Sequence, residues 1–398
     1  MNILVVGAGM YVTGRHTSGP GSALGSIGEL SKTLDIDSIT VVSKSESSLK
    51  DVNKSRDIIN KELNIKVSIE FIALGEDSLN KLQDIISLNN FDCAIVALPD
   101  HLHYSFAKLL IENKIHCFLV KPLTPTLKES LDLVSLQRKN KVLGVVDFHK
   151  RYDEVNLVIK DIINKGDIGS PISATVEYSQ KIEMPTLVFS DWIENSNVFQ
   201  YLGVHYVDMI YFLTSYKPEK VTAVGTYGVL QEKGIDTYDS IHATIVWQSG
   251  YNGFNNADME QQMVTQFTTS WIDPSTSSAM SDQKYTIIGT KGRIESNQKH
   301  RGVEVTTESE GIQSINPYFS KYHGKTYSGY DFKSISKFLT YADDFDNSHE
   351  EVYVRKDIEG LDELLPTFKD TLPTSSVIDA VNKSLIDNSN WVYINDLS

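Results

Sequence analysis

The chain has 398 residues, a net charge of −15, 40% hydrophobic residues and 22% charged ones. That length exceeds one ordinary core and implies two or three domains. The acidic balance excludes a nucleic-acid partner, which needs a basic surface, and no apolar run reaches the roughly 20 residues of a membrane span.

The N-terminus, Met1 to Gly7, runs straight into a strand without a basic leader, so the expected location is the cytoplasm. Cys93 and Cys117 sit inside apolar strand-like runs. They read as buried free thiols, and no metal site is expected.

Through residue 147, short apolar runs alternate with amphipathic stretches. Strands are predicted at Ile3–Gly7, Ile39–Ser43, Val67–Ile72, Cys93–Leu98, Cys117–Val120 and Val142–Phe148. Continuous apolar runs separated by helical spacings predict an α/β fold, a doubly wound parallel sheet covered on both faces. Residues 148–398 read differently. A helix over Val155–Asn164 stops at Gly166. Strands then follow at Ile172–Ser179, Lys220–Thr226, Ser240–Trp247, Gln262–Thr269 and Tyr285–Ile288. Alternation of Val176, Tyr178 and Gln180 with Thr175, Glu177 and Ser179 predicts an open, mainly antiparallel sheet, covered on one face by a helix near Val204–Leu213. Gly289–Gly292 reads as a hairpin turn, and helices are expected near Phe332–Ala342 and Ser376–Ile386. The domains expected are thus 1–147 and 148–398.

The first strand delivers Gly7-Ala-Gly9, followed by Met10, Tyr11 and, five residues after Gly9, Gly14. Gly7 and Gly9 suit a tight turn and close approach of a pyrophosphate, with Met10 and Tyr11 lining the same loop. The polar, glycine-rich stretch that follows delays the helix to about Ser22. It can carry Arg15, His16, Thr17 and Ser18 toward a phosphate or a substrate, or be an exposed insertion. The second strand ends Ser43-Lys44, where an acid would accept hydrogen bonds from the ribose of NAD. A hydroxyl and a cation there favour NADP, with NAD possible. Leu98, Pro99 and His103 sit at the end of the fourth strand, with His103 read as a capping or cofactor-contacting residue. The fifth strand ends at Lys121-Pro122; Pro122 has no N–H and stops the ladder, leaving Lys121 at the carboxyl edge where ligands bind in such sheets.

In the second half, Tyr201, His205 and Asp208 fall at helical spacings, so the phenol and imidazole share a face. Histidine titrates near neutrality and suits proton transfer at an alcohol; the alternative is a core histidine bonded to Asp208. Lys150, Arg151 and Tyr152, just past the junction, are placed as substrate contacts, with a structural ion pair as the alternative for Arg151.

In order and spacing, Gly7-x-Gly9, Ala97-Leu-Pro-Asp-His-Leu-His103, Lys121-Pro122, Phe148-His-Lys-Arg-Tyr152, Gly166-Asp-Ile-Gly169, Gly203-x-His205-x-x-Asp208 and Gly289-Thr-Lys-Gly292 resemble the Gfo/Idh/MocA family, the glucose–fructose oxidoreductase and inositol dehydrogenase group. The resemblance implies a Rossmann domain, a C-terminal α/β domain whose open sheet forms oligomer contacts (a homodimer or homotetramer), a nicotinamide cofactor and a sugar-like substrate. It also implies hydride transfer at a carbinol carbon, with His205 as acid–base group, Lys121 on the reacting oxygen and Tyr201 assisting. Two positions depart from the family pattern: Val120 stands where a glutamate precedes the lysine, and Tyr201 where an aspartate precedes the histidine. These departures leave two alternatives open. One is a dinucleotide-binding sensor; the other is an enzyme that recycles a tightly held cofactor in epimerisation, elimination or exchange.

Overall fold

The computed structural model describes residues 1–249, 261–309, 311–347 and 365–394, which form two compact units.

The first unit is built on six parallel strands: β1 (Asn2–Val6), β2 (Ser38–Ser43), β3 (Glu70–Ala73), β4 (Cys93–Val96), β5 (His116–Val120) and β6 (Gly144–Asp147). Their order is 3-2-1-4-5-6, with every pair parallel. This is the doubly wound dinucleotide-binding topology, in which the strand order reverses beside β1 and opens a crevice at the carboxyl edge. Ile3, Leu4, Val5 and Val6 are all essentially inaccessible, as are Cys93 to Val96. Both faces are covered, which is why these runs are apolar throughout. The crossover helices are α1 (Met10–Thr13), α2 (Ser22–Leu30), α3 (Leu49–Leu63), α4 (Ser78–Leu88), α5 (His103–Glu112) and α6 (Leu127–Asn140).

One expectation is corrected here. The first unit continues to Tyr152 and takes in Phe319–Thr371, which the sequence reading assigned to the second domain. The helix Tyr330–Asn347 buries Ile335, Phe338, Leu339 and Ala342, and these join the core of β1, β5, α2 and α3. Phe338 lies 5.3 Å from Phe118 of β5, centroid to centroid. The i, i+3, i+4, i+7 stripe announces a helix but not which sheet it covers.

The second unit holds a seven-stranded sheet. Its strands are β7 (Pro171–Lys181), β8 (Lys217–Thr226), β9 (Ser240–Gln248), β10 (Gln262–Asp273), β11 (Ser281–Gly289), β12 (Arg293–Asn297) and, last in the chain, Val392–Tyr393. The order is β12-β11-β7-β10-β9-β8 with Val392–Tyr393 on the outer edge of β8. The pairs are antiparallel except β7 with β10, which run parallel. Ala174, Val176, Tyr178 and Gln180 point inward while Thr175 and Glu177 are exposed, the alternation expected. Two helices, α7 (Glu154–Lys165) and α8 (Val204–Thr214), and the helix Leu372–Ile386 cover the inner face. Tyr206 of α8 sits edge-on to Tyr178 at 5.8 Å and packs on Tyr285 at 5.5 Å. The Gly289–Gly292 turn joins β11 to β12, with the Gly289 N–H donating to Gly292 O at 2.8 Å.

Candidate active site

Four strand ends and the glycine loop meet along the carboxyl edge of the first unit. After β1 the chain turns at Gly7, where φ is +110° and a Cβ would lie 2.2 Å from the carbonyl oxygen of Ala97. Only glycine fits. At Gly9 a Cβ would meet nothing within 4 Å, so the backbone there is open to close approach. The short helix α1 begins directly after it. A bare glycine at a helix start beside a strand-order reversal fits a dinucleotide pyrophosphate. Met10 and Tyr11 form the first turn of that helix, a correction to the expectation that they line a loop and that helix begins only near Ser22.

The strand-four end is organised by His103, which is inaccessible. Its Nδ1 lies 2.7 Å from the Pro122 carbonyl oxygen and its Nε2 2.9 Å from that of Leu98. It ties the ends of β4 and β5 together. The expectation of a cofactor contact is corrected for His103, because both ring nitrogens face backbone carbonyls inside the protein. Leu98 and Pro99 stay at the edge, with the Leu98 side chain packed toward Gly7. Asp100 is buried and opens the turn into α5, its carboxylate accepting from the His101 N–H at 3.0 Å.

Lys121 follows β5 through a cis peptide to Pro122. Its side chain is half-buried. Removal of water pulls its pKa down to about 7, against the opposing pull of the Asp100 and Asp147 carboxylates. Asp147 is the last residue of β6 and pairs in register with Val120, the neighbour of Lys121. It is buried, accepts from Ser334 Oγ at 2.7 Å and lies 3.1 Å from His149 Nδ1. Burial disfavours its charge, but His149, Ser334 and Tyr11 outweigh that and hold the carboxyl below its ordinary range. The His149 ring stacks on Tyr330 at 5.5 Å. Asp331, in the first turn of the helix that starts at Tyr330, accepts from Ser22 Oγ at 3.0 Å and is pushed up to about 6 by burial. Sequence reasoning missed Asp147, His149 and Asp331. The legible signal was an acid at the end of a buried strand beside a strand ending in lysine. With Val120 in place of the glutamate, Asp100 and Asp147 supply the negative charge near Lys121.

At the end of β2, Ser43 Oγ lies 3.2 Å from Ser48 Oγ. Lys44 pairs with Glu76 at 2.7 Å, both well exposed. Just past β6, the turn His149–Tyr152 buries Lys150, Arg151 and Tyr152. Arg151 makes an ion pair with Asp370 and lies over the Phe148 ring at 5.8 Å. The structural alternative therefore holds for Arg151, since its charge is already matched. Tyr152 carries the Lys337 ammonium 5.1 Å above its ring.

In the second unit a π-helical turn, Phe199–Gly203, runs into α8. Such turns are frequent at functional sites. Tyr201 sits on the turn and His205 on the first turn of α8, with Asp208 fully buried three residues on. The Tyr201 ring is walled by Phe189 at 4.7 Å, Trp192 at 5.8 Å and Trp271 at 5.9 Å. His205 lies 6.2 Å from the Tyr178 ring, whose hydroxyl burial keeps protonated. The segments 183–197 and 271–281 supply these three rings, Phe189, Trp192 and Trp271.

Residues 1–148 match the oxidoreductase-family model with an NAD-binding Rossmann fold, and residues 157–295 match the GFO/IDH/MocA C-terminal domain. The chain belongs to the GFO/IDH/MocA oxidoreductase family. Among curated relatives, an uncharacterized oxidoreductase, YrbE, of Bacillus subtilis is 25% identical over 60% of this chain and 64% of its own length. A myo-inositol 2-dehydrogenase of Thermotoga maritima is 23% identical over 57% of this chain and 63% of its own. The matched stretches thus span less than two thirds of these relatives. A scyllo-inositol dehydrogenase from Lactobacillus casei, solved with NAD(H) and scyllo-inositol, superposes with a TM-score of 0.64 at 18% identity over 99% of both chains. The whole fold is therefore that of the family.

Proposed function

We propose that this family member is a nicotinamide-dependent dehydrogenase that interconverts a carbinol and a carbonyl in a sugar or polyol. The observation that carries the reading is Lys121: a half-buried lysine at the end of β5, with a pKa near 7, on the same strand edge as the Gly7–Gly9 loop. Lysines are lowered in this way where chemistry uses them. The relatives named for inositol oxidation support the substrate class.

Gly7, Gly9, Met10, Tyr11, Leu98, Pro99 and Pro122 hold the dinucleotide in this reading. Ser43 and Lys44 at the end of β2, with no acid to meet a ribose diol, favour NADP. The bound nicotinamide supplies the hydride acceptor or donor. Lys121 donates hydrogen bonds to the reacting oxygen and stabilises negative charge as it develops there. His205 takes the hydroxyl proton in oxidation and returns it in reduction. Tyr201 hydrogen-bonds the same hydroxyl, and its aromatic wall keeps water away. Lys150 and Tyr152 orient the remaining substrate hydroxyls. The outer face of the seven-stranded sheet, which exposes Thr175, Thr268, Val224, Val264 and Ile288 among polar neighbours, seats a second copy of the chain in a homo-oligomer. The protein works in the cytoplasm; among the described residues no helix is long and apolar enough to cross a membrane.

The test is to incubate the protein with NADP or NAD and a panel of inositols, hexoses, uronates and amino sugars while following absorbance of the reduced nicotinamide. Reduction by at least one class is expected. Tight dinucleotide binding with no reduction across the panel would replace the dehydrogenase reading with that of a sensor or a cofactor-recycling enzyme.

A further inference from the structure

We propose that Arg15, on the long loop after α1, is the residue that recognises the 2′-phosphate of NADP, in a cradle completed by Ser48 and Ser43. The inference deepens the cofactor preference proposed above and rests on it.

The loop is a built element. Gly14 stands at φ +69° where a Cβ would lie 2.1 Å from the Gly19 carbonyl oxygen, so the segment folds back on itself only because that residue is glycine. Helix α3 then holds it at two further points. Lys54 Nζ donates to the Thr17 carbonyl at 2.8 Å, and Ser55 Oγ donates to that of Pro20 at 2.5 Å. His16, Thr17 and Ser18 face solvent. Arg15 does not. Its Nε donates to Asp51 Oδ2 at 2.7 Å and its Nη2 to Ser48 Oγ at 3.0 Å, both partners lying at the start of α3. Ser48 is buried, and its hydroxyl also meets Ser43 Oγ at the end of β2. The insertion thus brings a guanidinium to the strand end where the ribose of a dinucleotide is read in this topology.

The geometry suits a phosphate. Guanidinium carries five N–H donors in a planar fork, and Asp51 and Ser48 occupy two of them. Asp51 takes the Nε hydrogen and Ser48 one of the two on Nη2, which leaves both hydrogens of Nη1 and one of Nη2 for a ligand, with 35% of the side chain exposed. A guanidinium fixed in place binds a dianion bidentately and loses little entropy in doing so. Lys44, the cation that sequence alone singles out, is placed less well. Its ammonium is paired with Glu76 and solvated, so its pull on a ligand is screened.

The experiment is fluorescence titration of NADPH and NADH against the full-length wild type, Arg15→Ala, Lys44→Ala and Asp51→Asn, with adenosine 2′-monophosphate and adenosine 5′-monophosphate as competing probes. Arg15→Ala is expected to weaken NADPH by about tenfold or more, leave NADH within about twofold, and erase the advantage of the 2′-monophosphate probe. Lys44→Ala should move NADPH by less than about threefold. Asp51→Asn keeps the arginine and removes its counter-charge, so it should tighten NADPH relative to NADH. That arm decides the matter even if Arg15→Ala unfolds. If the wild type does not prefer NADPH, the cofactor preference itself fails. If the wild type prefers NADPH and Arg15→Ala keeps that preference, or weakens both dinucleotides equally, the assignment to Arg15 is overturned while the preference stands. An Asp51→Asn variant that loses the preference would equally count against it.

Discussion

The carboxyl edge of the parallel sheet and the helical turn before α8 set their polar side chains in opposite surroundings. At the sheet edge, Lys121 is set among charges: Asp100, Asp147, and through Asp147 the ring of His149. Around α8, His205 and Tyr201 are set among rings, with Phe189, Trp192, Trp271 and Tyr178 as neighbours and Asp208 buried beneath. The first environment sets how readily a group carries charge; the second sets shape and excludes water. In the function proposed, the first environment suits stabilising charge on an oxygen and the second suits proton transfer away from water.

The largest effect that can break this comparison lies on the aromatic side. His205→Ala is expected to lower kcat/KM by about 10²–10⁴, with dinucleotide affinity within about twofold of wild type. Tyr201→Phe keeps the ring among its aromatic neighbours and removes only the hydroxyl. If that hydroxyl serves the reaction, kcat falls about tenfold with KM little changed; unchanged kcat would reduce Tyr201 to a wall residue. Steady-state kinetics on both variants separates the two roles.

The same contrast explains what the sequence could and could not say. The strands of the first unit are legible because burial on both faces demands unbroken apolar runs, and those of the second because one covered face enforces alternation at Val176, Tyr178 and Gln180. Lys121 is legible because Pro122 marks where its strand must stop. The charge partners are not. Asp147 lies 26 residues after Lys121 in sequence and reaches its vicinity only through the β5–β6 register, and Asp331 arrives from the returning helix. His103 carries no local mark to distinguish a capping residue from one that ties two carbonyls together. Arg15 was visible as a cation in an insertion, but its contacts with Ser48 and Asp51 require the loop to fold back on α3. The parallel β7–β10 pair and the return of Phe319–Thr371 to the first unit are likewise tertiary outcomes that no short window records.

A smaller effect sharpens the electrostatic half. The folded-state pKa of Lys121 is about 7, against 10.5 ordinarily. Between these values the unfolded chain binds the extra proton, so this residue makes stability rise as pH increases from about 7 to 10.5. Asp331 acts in the opposite sense at lower pH. Its folded value of about 6 exceeds the ordinary 3.8, so its contribution is present below 3.8 and is lost as pH rises to about 6. Thermal denaturation across pH should show both slopes. Asp331→Asn should remove the acidic one, and Lys121→Met should remove the alkaline one, each worth on the order of 1 kcal/mol.

The most direct test of the central claim joins activity and stability in one variant, Lys121→Met, which keeps most of the length of the side chain and removes its charge. If Lys121 is the residue that holds the reacting oxygen, turnover falls by about 10³ or more. Dinucleotide affinity stays close to wild type, and the melting temperature at pH 7 rises by about 2–4 °C because a desolvated cation is gone. Turnover within about tenfold of wild type, with the protein folded and binding dinucleotide, would contradict the account.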